Sequence, residues 1–400
     1  MQTFTGSEYL KIDIASNFGL DKLDWGQRIA WVEDHEAELE DLVPLAETPA
    51  MYFAGVQAYR KSQRGQPTGY MISLDAAASG LQLLALLSGC AKSASLCGVV
   101  STGHREDAYT AIYQTMCVRI GDRARIGRAD TKKAILTSLY SSTAEPRRVF
   151  GDGALLKAFY ETMATMAPGA WAVNLALKGL WQAEALSHDW VLPDNFHVHI
   201  KVTKQVDRYV QFLNTPVPVT LTLNQGTKDG RALGPNVIHS VDGMIVREMH
   251  RRCSFDPAML ERLLTLLANQ ARFEGASSGR ENDQLVTRLW DLYQHSGFLS
   301  ARILDLLDEK NIGLVDPEAI KRLALTLPAK PFPVISIHDC FRCHPNQGND
   351  LRNQYRSILG ALADSRLLTF IASQIVGTYL PAAKLGEMGD LVRQSDYAIC

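Results

Sequence analysis

The spacing of hydrophobic and polar positions along the chain predicts a mostly helical protein with a few short strands. Apolar residues at helical intervals predict helices over residues 25–42, 48–62, 79–87, 104–120, 127–140, 236–250, 257–272, 283–308 and 350–378. The stretch 155–186 is rich in Ala, Leu and Met and predicts one or two long buried helices. Alternating or short apolar runs predict strands before Asp75 and Asp339. We therefore expect an α+β fold, mostly helical, with a small antiparallel sheet that holds both aspartates.

The region 188–235 differs from the helical segments on either side. Residues 197–202 and 217–223 alternate as strands do. Turn-forming residues at 224–226 and at Asp229-Gly230 then predict an extended β-hairpin near 210–232.

Two aspartates lie at the ends of the predicted strands, far apart in the chain. Asp75 lies in Leu-Asp-Ala-Ala-Ala-Ser-Gly-Leu-Gln, and Asp339 follows the apolar run 334–337 and His338. Two divalent ions held roughly 3.5–4 Å apart by carboxylates stabilise the attacking and leaving oxygens of nucleotidyl transfer. The pair therefore indicates a two-metal site.

A third segment places Arg128, Lys132, Leu136 and Tyr140 four residues apart, on one face of a helix. Such a face suits a nucleoside triphosphate, with cations on the phosphates and the ring under the base or sugar. The alternative interpretation is a solvated basic helix start with Tyr140 packed in the core.

Composition and charge limit the function classes less than the motifs do. The chain has 400 residues, 46% of them hydrophobic and 21% charged, with a formal net charge of −2. Any nucleic-acid surface must therefore be local. Seven irregularly spaced cysteines favour free thiols, and no signal peptide or apolar run of membrane-spanning length is evident, so we expect a cytoplasmic protein without a membrane partner.

Taken together, these motifs resemble the single-subunit, phage-type DNA-dependent RNA polymerases over essentially the whole chain. The Asp75 segment resembles the first palm motif of that family, the Arg128–Tyr140 helix its fingers motif, and His338-Asp339 with Phe341 its second palm motif. Further similar stretches, in the same order, are Asp21-Lys22 with Arg28-Ile29, residues 52–57, Asn236 to Gly243, and the closing Ser-Asp-Tyr-Ala-Ile-Cys.

The resemblance implies a role for each matched residue. Asp75, Asp339 and the Ala76 carbonyl would bind two Mg²⁺ ions, and Lys132 would neutralise or protonate the leaving pyrophosphate. Tyr140 would stack at the insertion site. The remaining nucleotide-binding residues would be Arg128 on the distal phosphates, His239 on the minor-groove edge of the incoming pair, and Tyr109 and Lys22 nearby. The Cys400 carboxylate would lie towards the active site.

The resemblance also implies a right-hand architecture of palm and fingers. Residues 1–66 would be an N-terminal palm-associated segment and 67–91 the first part of the palm. Residues 92–239 would be the fingers, with the hairpin at 210–232 in place of a promoter-reading loop, and 240–400 the second part of the palm with a C-terminal foot. Family members carry an N-terminal domain and a thumb before the region matched here. We expect a second subunit to supply both, as in the split, heterodimeric polymerases of some bacteriophages, acting on a DNA template, ribonucleoside triphosphates and an RNA product.

One position favours ribonucleotides. Related DNA polymerases have a glutamate five residues after the first aspartate, where it blocks a 2′-hydroxyl, whereas this chain has Gly80. The chain departs from the family pattern at Ala76 and at Ser141, both usually glycine; metal binding should survive at Ala76 because it needs only a carbonyl.

Three alternatives accompany this interpretation. The run from His338 to His344 contains Cys340 and Cys343, which would suit half of a zinc site or a redox pair. Thr131-Lys132-Lys133 lacks the glycines of a P-loop, so we reject a P-loop ATPase. A non-catalytic subunit of the same fold that only binds nucleic acid remains as the second function class.

Overall fold

The computed structural model describes residues 2–121, 126–228, 230–268 and 280–400. Within these ranges the α-helices have the following bounds: α1 Gly6–Ala15, α2 Trp25–Asp34, α3 Pro49–Gln63, α4 Ser79–Ser88, α5 Ala91–Leu96, α6 Ala108–Ile120, α7 Arg128–Leu139, α8 Ala144–Phe150, α9 Ala154–Met166, α10 Pro168–Gly179, α11 Leu233–Cys253, α12 Pro257–Ala268, α13 Glu281–Ser296, α14 Pro317–Ala324, α15 Gly348–Asp364, α16 Leu367–Val376 and α17 Gly389–Arg393. The strands are β1 Ile72–Asp75, β2 Ser187–Val191, β3 His197–Lys201, β4 Thr203–Phe212, β5 Thr215–Asn224, β6 Ile335–Ile337 and β7 Cys340–Cys343.

The small sheet predicted to hold both aspartates is present. Its strand order is β1-β7-β6 with antiparallel pairing, and Asp75 lies opposite Cys340. The described strands also form two separate two-stranded ribbons, β2-β3 and β4-β5. The mostly helical α+β class is therefore confirmed.

The main hydrophobic core surrounds helix α4. Every residue of this helix from Gly80 to Ser88 is buried, and the helix packs against α10, α11 and α15. A helix that is apolar on all sides belongs in the interior of a protein. Because α4 follows β1 after three residues, its burial fixes the end of the strand that carries Asp75.

A second hydrophobic cluster lies between residues 255 and 327. It is built from α12, α13, α14 and the 3₁₀ segment Ala301–Leu306, with Ile303 and Ile320 fully buried. The predicted helix 283–308 is wrong in its second half: α13 ends at Ser296 because Gly297 takes a left-handed conformation with φ of 74°. For the predicted helix 257–272, the portion after Ala268 lies outside the described residues.

Three other predicted elements differ from the structure. The helix expected over 25–42 ends at Asp34 and continues as short 3₁₀ turns. The stretch 155–186 forms two helices, α9 and α10, which are separated at Ala167 and buried on one side only. The run before Asp339 is not a buried strand, because Ile335 and Ile337 on β6 are 49% and 56% exposed.

The long hairpin is present, but its turn lies elsewhere than predicted. Strands β4 and β5 pair from Thr203↔Asn224 to Phe212↔Thr215, so the hairpin spans 203–224 rather than 210–232. Leu213 and Asn214 form the two-residue turn, with φ of 46° and 64°. Positive φ at both central residues matches the twist of a hairpin. The predicted turn at 224–226 follows the hairpin, and Asp229 lies outside the described residues.

No single described helix is long and apolar enough to cross a membrane; one bent pair, Pro345–Asp364 with Leu367–Val376, meets the criteria of length and composition jointly.

We expect Leu84→Ala to destabilise the fold strongly. Leu84 is fully buried in α4, and large-to-small substitutions in a core cost about 2–5 kcal/mol because a cavity remains. The free energy of unfolding from urea titration measures the loss. Leu45→Ala is the matched control, since Leu45 is 71% exposed and should change stability by less than about 0.5 kcal/mol. Equal effects of the two substitutions would contradict the assigned core.

Candidate active site

The two aspartates are brought together by backbone pairing. Asp75 is the last residue of β1 and pairs with Cys340 at the start of β7, directly after Asp339. The amide of Ala76 lies 3.4 Å from the backbone carbonyl of Asp339. Asp339 itself occupies the tight turn between β6 and β7, where His338 has a φ of 56°. Rigid strand ends therefore hold the two carboxylates on neighbouring segments.

The other edge of β1 is covered by the end of the chain. Asp75 N–H donates to the carbonyl of Cys400 at 3.2 Å, and Cys400 N–H donates to the carbonyl of Asp75 at 2.9 Å. Ala76 also pairs with Ile399. Residue 400 thus lies beside the site, as the sequence predicted, and the backbone of Asp75 is fixed from both sides.

Negative charge is concentrated around the aspartate pair. Partial burial, together with the nearby Asp339 carboxylate, raises the pKa of Asp75 to about 6. Burial and the same Asp339 raise the pKa of Asp242, on α11, to about 6. Carboxyl groups that crowd one another in this way are stabilised when a cation binds between them.

Helix α7 presents the cationic side of the site. Arg128, at its first position, donates to Asp107 at 2.7 Å and to the Thr110 hydroxyl at 2.8 Å. One turn later the Lys132 ammonium lies 5.4 Å from the centre of the Tyr109 ring. Both cations therefore have fixed positions on one face of the helix, as their spacing predicted.

Tyr140 follows the last helical residue of α7 and forms a ring stack with His239. The ring centroids are 4.9 Å apart and the planes differ by 1°. Gly80, at the start of α4, lies against the same tyrosine: a Cβ at residue 80 would be 2.8 Å from the Tyr140 hydroxyl oxygen. The pair of rings forms a flat wall, and Gly80 is the residue that leaves room for it.

The residue after Tyr140 takes a backbone conformation that favours glycine. Ser141 has a φ of 61°, in the left-handed region. Its hydroxyl lies 3.3 Å from the side-chain oxygen of Asn174 on α10. Ser141, where the family usually has glycine, therefore keeps the left-handed backbone conformation that a glycine would adopt more readily.

Two adjoining cavities contain all the predicted site residues. The first, of about 380 Å³, is lined by Ala76, Tyr109, Lys132, Tyr140, His239 and Asp339, among others. The second, of about 370 Å³, is lined by Lys22, Asp75, Ala76, Tyr109, Arg128 and Lys132, among others. Ala76, Tyr109 and Lys132 border both cavities, so the two form one cleft with an acidic floor and a cationic wall.

Sequence reasoning did not single out several residues of this cleft. Arg105 lines the second cavity, and its Nε is buried without a hydrogen-bond partner among the described residues. Asp107 fixes Arg128, while His338 and Asp242, which the resemblance included in its motifs without giving them a role, line the first cavity. For Arg105 and Asp107, the sequence offered one signal, the charged run 104–107 before α6. Charge alone did not distinguish that run from a solvated loop.

The cysteine-histidine run does not form a zinc site. Cys340 and Cys343 are three residues apart on strand β7, so their side chains point to opposite faces of the sheet. Over the ranges that the structure describes, no group of three or more His, Cys, Asp or Glu side chains is arranged to hold a metal ion. The donors at the cleft floor are oxygens: two carboxylates and the Ala76 carbonyl.

Residues 3–150 match the family model for DNA-dependent RNA polymerase, and a comparison with curated proteins finds no match. The matched segment includes Asp75, Arg128, Lys132 and Tyr140, whereas His239 and Asp339 lie beyond it.

Proposed function

We propose that this chain, whose residues 3–150 match the family model for DNA-dependent RNA polymerase, catalyses template-directed addition of ribonucleotides to the 3′-hydroxyl of RNA, with release of pyrophosphate. The observation that carries the proposal is the cleft. The residues that the sequence analysis connects with nucleotidyl transfer are far apart in the chain. In the structure they line two cavities, and Lys132 lines both.

In this proposal two Mg²⁺ ions bind at the floor of the cleft. Mg²⁺ prefers oxygen donors and keeps several waters, so it is held by one or two carboxylates together with substrate phosphates. Asp75, Asp339 and the Ala76 carbonyl offer such a set, and the raised pKa of Asp75 reflects a charge that a cation would offset. Bound there, the ions would stabilise the charge on the attacking and leaving oxygens.

The side chains of the cleft wall bind and orient the nucleotide in this proposal. Arg128, held by Asp107, contacts the distal phosphates, and Lys132 neutralises or protonates the departing pyrophosphate. Tyr140 and His239 offer a stacked surface for the base pair being formed. Arg105 and Lys22, which line the phosphate side of the cleft, add positive charge there. Positioning and electrostatics of this kind supply most of the catalysis of phosphoryl transfer.

Lys132 and Lys133 provide a matched pair of substitutions. Lys132 lines both cavities, whereas its exposed neighbour Lys133 lines neither and forms an ion pair with the partly buried Glu145 at 3.2 Å. We expect Lys132→Ala to lower the rate of single-nucleotide extension by about 10² or more. Lys133→Ala should leave the rate within about twofold of the parent, because Lys133 does not line the cleft and Glu145 keeps its ion pair with Arg148. Extension rates in a rapid-quench assay decide the point. Equal losses for both variants would contradict the role given to Lys132.

Asp75 should also make the stability of the folded protein depend on pH in the absence of divalent ions. Its folded pKa of about 6 lies above the ordinary value of 3.8. Its contribution to stability is therefore greatest below pH 3.8 and is lost as the pH rises through 6. In EDTA we expect Asp75→Asn to raise the melting temperature relative to the parent at pH 8, with a smaller difference at pH 5.

Adding Mg²⁺ at pH 8 is the complementary measurement. It should raise the melting temperature of the parent by a few degrees, since roughly 2–4 °C corresponds to 1 kcal/mol for a domain of 150–250 residues. It should not do so for Asp75→Asn. A melting temperature of the parent that does not respond to Mg²⁺ would contradict the metal assignment.

We further propose that a second polypeptide completes the enzyme. Strand β6 is an edge of the sheet that bears the site, and its Ile335 and Ile337 are about half exposed. An exposed apolar edge strand is a surface for pairing with another chain. Ile335→Lys and Ile337→Lys should then weaken association with a co-expressed partner subunit, measured by light scattering. Full association of both variants would rule out this surface.

A further inference from the structure

Strand β1, which ends at Asp75, has a neighbouring strand on one edge only. The strand order is β1-β7-β6, so β7 pairs with one edge of β1 and the other edge faces away from the sheet. Alternate backbone N–H groups of an antiparallel strand point to the same edge. On the outer edge of β1 these groups belong to Ser73 and Asp75. Because no strand covers this edge, both groups need acceptors from elsewhere in the chain.

The carboxylate of Asp13, on α1, takes the place of a neighbouring strand at Ser73. Ser73 N–H donates to Asp13 Oδ1 at 2.8 Å. Two residues further along, Asp75 N–H donates to the Cys400 carbonyl at 3.2 Å. The outer edge of β1 is thus held at two successive outward-facing N–H groups, first by a side chain and then by the backbone of residue 400.

Asp13 is itself held in a fixed orientation. The Tyr70 hydroxyl donates to its Oδ2 at 2.5 Å, and Asn17 Nδ2 donates to the same oxygen at 3.0 Å. Asp13 is only 2% exposed. It borders the second cavity of the cleft, but both of its oxygens accept hydrogen bonds from the surrounding fold. The carboxylate therefore serves the protein rather than a ligand, and it cannot turn away from Ser73 without losing these contacts.

The hydrogen bond from Ser73 to Asp13 is charge-assisted at pH 8. Burial raises the pKa of Asp13 to about 6, while the hydrogen bonds from Tyr70 and Ser73 and the nearby Arg342 oppose the rise. The group is therefore mainly ionised at pH 8. Hydrogen bonds to an ionised acceptor are stronger than those between neutral groups. A buried carboxylate is costly unless its hydrogen bonds are made, so this contact should resist movement of β1.

We propose that Asp13 is a positioning residue of the polymerase site: its carboxylate holds the backbone of β1 two residues before Asp75 and so sets the place of the Asp75 carboxylate. This inference rests on the proposed function. The ligands of a two-metal site must keep the ions at a fixed separation, and a displacement of about 1 Å can lower the rate about 10²-fold. Loss of the bond between Asp13 and Ser73 frees the outer edge of β1 and lets Asp75 move.

The test compares two substitutions of Asp13 in the extension of an RNA primer on a DNA template at pH 8. Asp13→Ala removes the acceptor of Ser73 N–H, and we expect it to lower kcat by about 10- to 100-fold. The KM for ribonucleotides should change by less than about threefold, because Arg128, Lys132 and Tyr140 keep their contacts. Asp13→Asn keeps an oxygen that can accept from Ser73 N–H, so its kcat should stay within about fivefold of the parent.

Ile320→Ala is the control for lost stability. Ile320 is fully buried on α14, in the second hydrophobic cluster rather than in the core around β1. The substitution should lower the melting temperature, as core truncations do, while kcat stays within about twofold of the parent. All rates are measured well below the melting temperature of each variant. A loss of kcat in Ile320→Ala as large as that in Asp13→Ala would show a general effect of stability and would overturn the inference.

Amide hydrogen exchange of Ser73 gives a readout that needs neither activity nor a variant. It is measured by NMR in protein labelled with ¹⁵N-serine, without nucleic acid. In the parent we expect the Ser73 amide to exchange about 10² times more slowly than a free amide, because it donates to a buried carboxylate. In Asp13→Ala this protection should fall. An unprotected Ser73 amide in the parent overturns the inference, even if Asp13→Ala does not fold.

The failure of the inference differs from the failure of the proposed function. A lower kcat of Asp13→Ala at nearly constant KM, with kcat retained in Asp13→Asn, supports the inference. Extension by Asp13→Ala at the parental rate, or an equal loss in Asp13→Asn, overturns it and leaves the proposed function standing. If the parent extends no primer under any condition, the proposed function and the inference both fail.

Discussion

Asp339→Asn should reduce RNA extension by on the order of 10³ or more while the protein remains folded, because the loss of one carboxylate at a two-metal site forfeits several kcal/mol of transition-state stabilisation. The substitution is nearly isosteric. The residue lies in a turn, half-buried, and its backbone carbonyl still faces the Ala76 amide. We therefore expect the melting temperature in EDTA to stay close to that of the parent.

Asp152→Asn is the control for this experiment. Its side chain is 80% exposed and, among the described residues, forms an ion pair with the exposed Arg147. It should extend RNA at the parental rate. Unchanged activity of Asp339→Asn would instead favour a non-catalytic subunit of the same fold, because such a protein does not need the carboxylate.

Gly80→Glu should strongly reduce the use of ribonucleotides. A Cβ at residue 80 would already lie 2.8 Å from the Tyr140 hydroxyl oxygen and 3.1 Å from its ring carbon Cζ, and a longer side chain would enter the space beside the ring. Overpacking of this kind costs about 1–3 kcal/mol, and the same cost in the transition state would lower kcat/KM for ribonucleotides by about 5- to 150-fold. Deoxyribonucleotides, which lack the 2′-hydroxyl, should lose less.

A double-substitution cycle tests the contact behind this prediction. Gly80→Ala adds only the Cβ, and Tyr140→Phe removes the oxygen that it would meet. We expect Gly80→Ala to lower kcat/KM for ribonucleotides less in the Tyr140→Phe background than in the parent, because substitutions of contacting residues are not additive. Gly26→Ala is the control, since no atom lies within 4 Å of a Cβ at residue 26. Strict additivity of the two substitutions would contradict the packing described here.

The local pattern of the sequence was sufficient to predict the main parts of the cleft. Arg128, Lys132 and Tyr140 recur at helical spacing, so their common face follows from helix geometry. Asp75 and Asp339 each follow a short apolar run, and paired strands bring them together. Arg105 was missed because its importance arises from tertiary packing: only the folded chain places its buried Nε beside the cleft.

The errors in the fold have physical causes of the same kind. The hairpin turn was assigned to 224–226 by its Asn and Gly, yet the chain turns at Leu213-Asn214, where strand pairing imposes positive φ on a leucine. Gly297 ends α13 although the apolar spacing continues beyond it. In each case long-range pairing or a backbone conformation outweighed the local signal.

Extension of an RNA primer on a DNA template is the measurement that tests the central claim most directly. It is carried out with Mg²⁺ and ribonucleoside triphosphates, with the parent and Asp339→Asn compared side by side, each alone and together with the co-expressed partner subunit. We predict template-directed extension by the parent in at least one of these samples, and none by Asp339→Asn in any of them. Absence of extension by the parent under all conditions, or equal extension by both proteins, would contradict the assignment of the cleft as a polymerase active site.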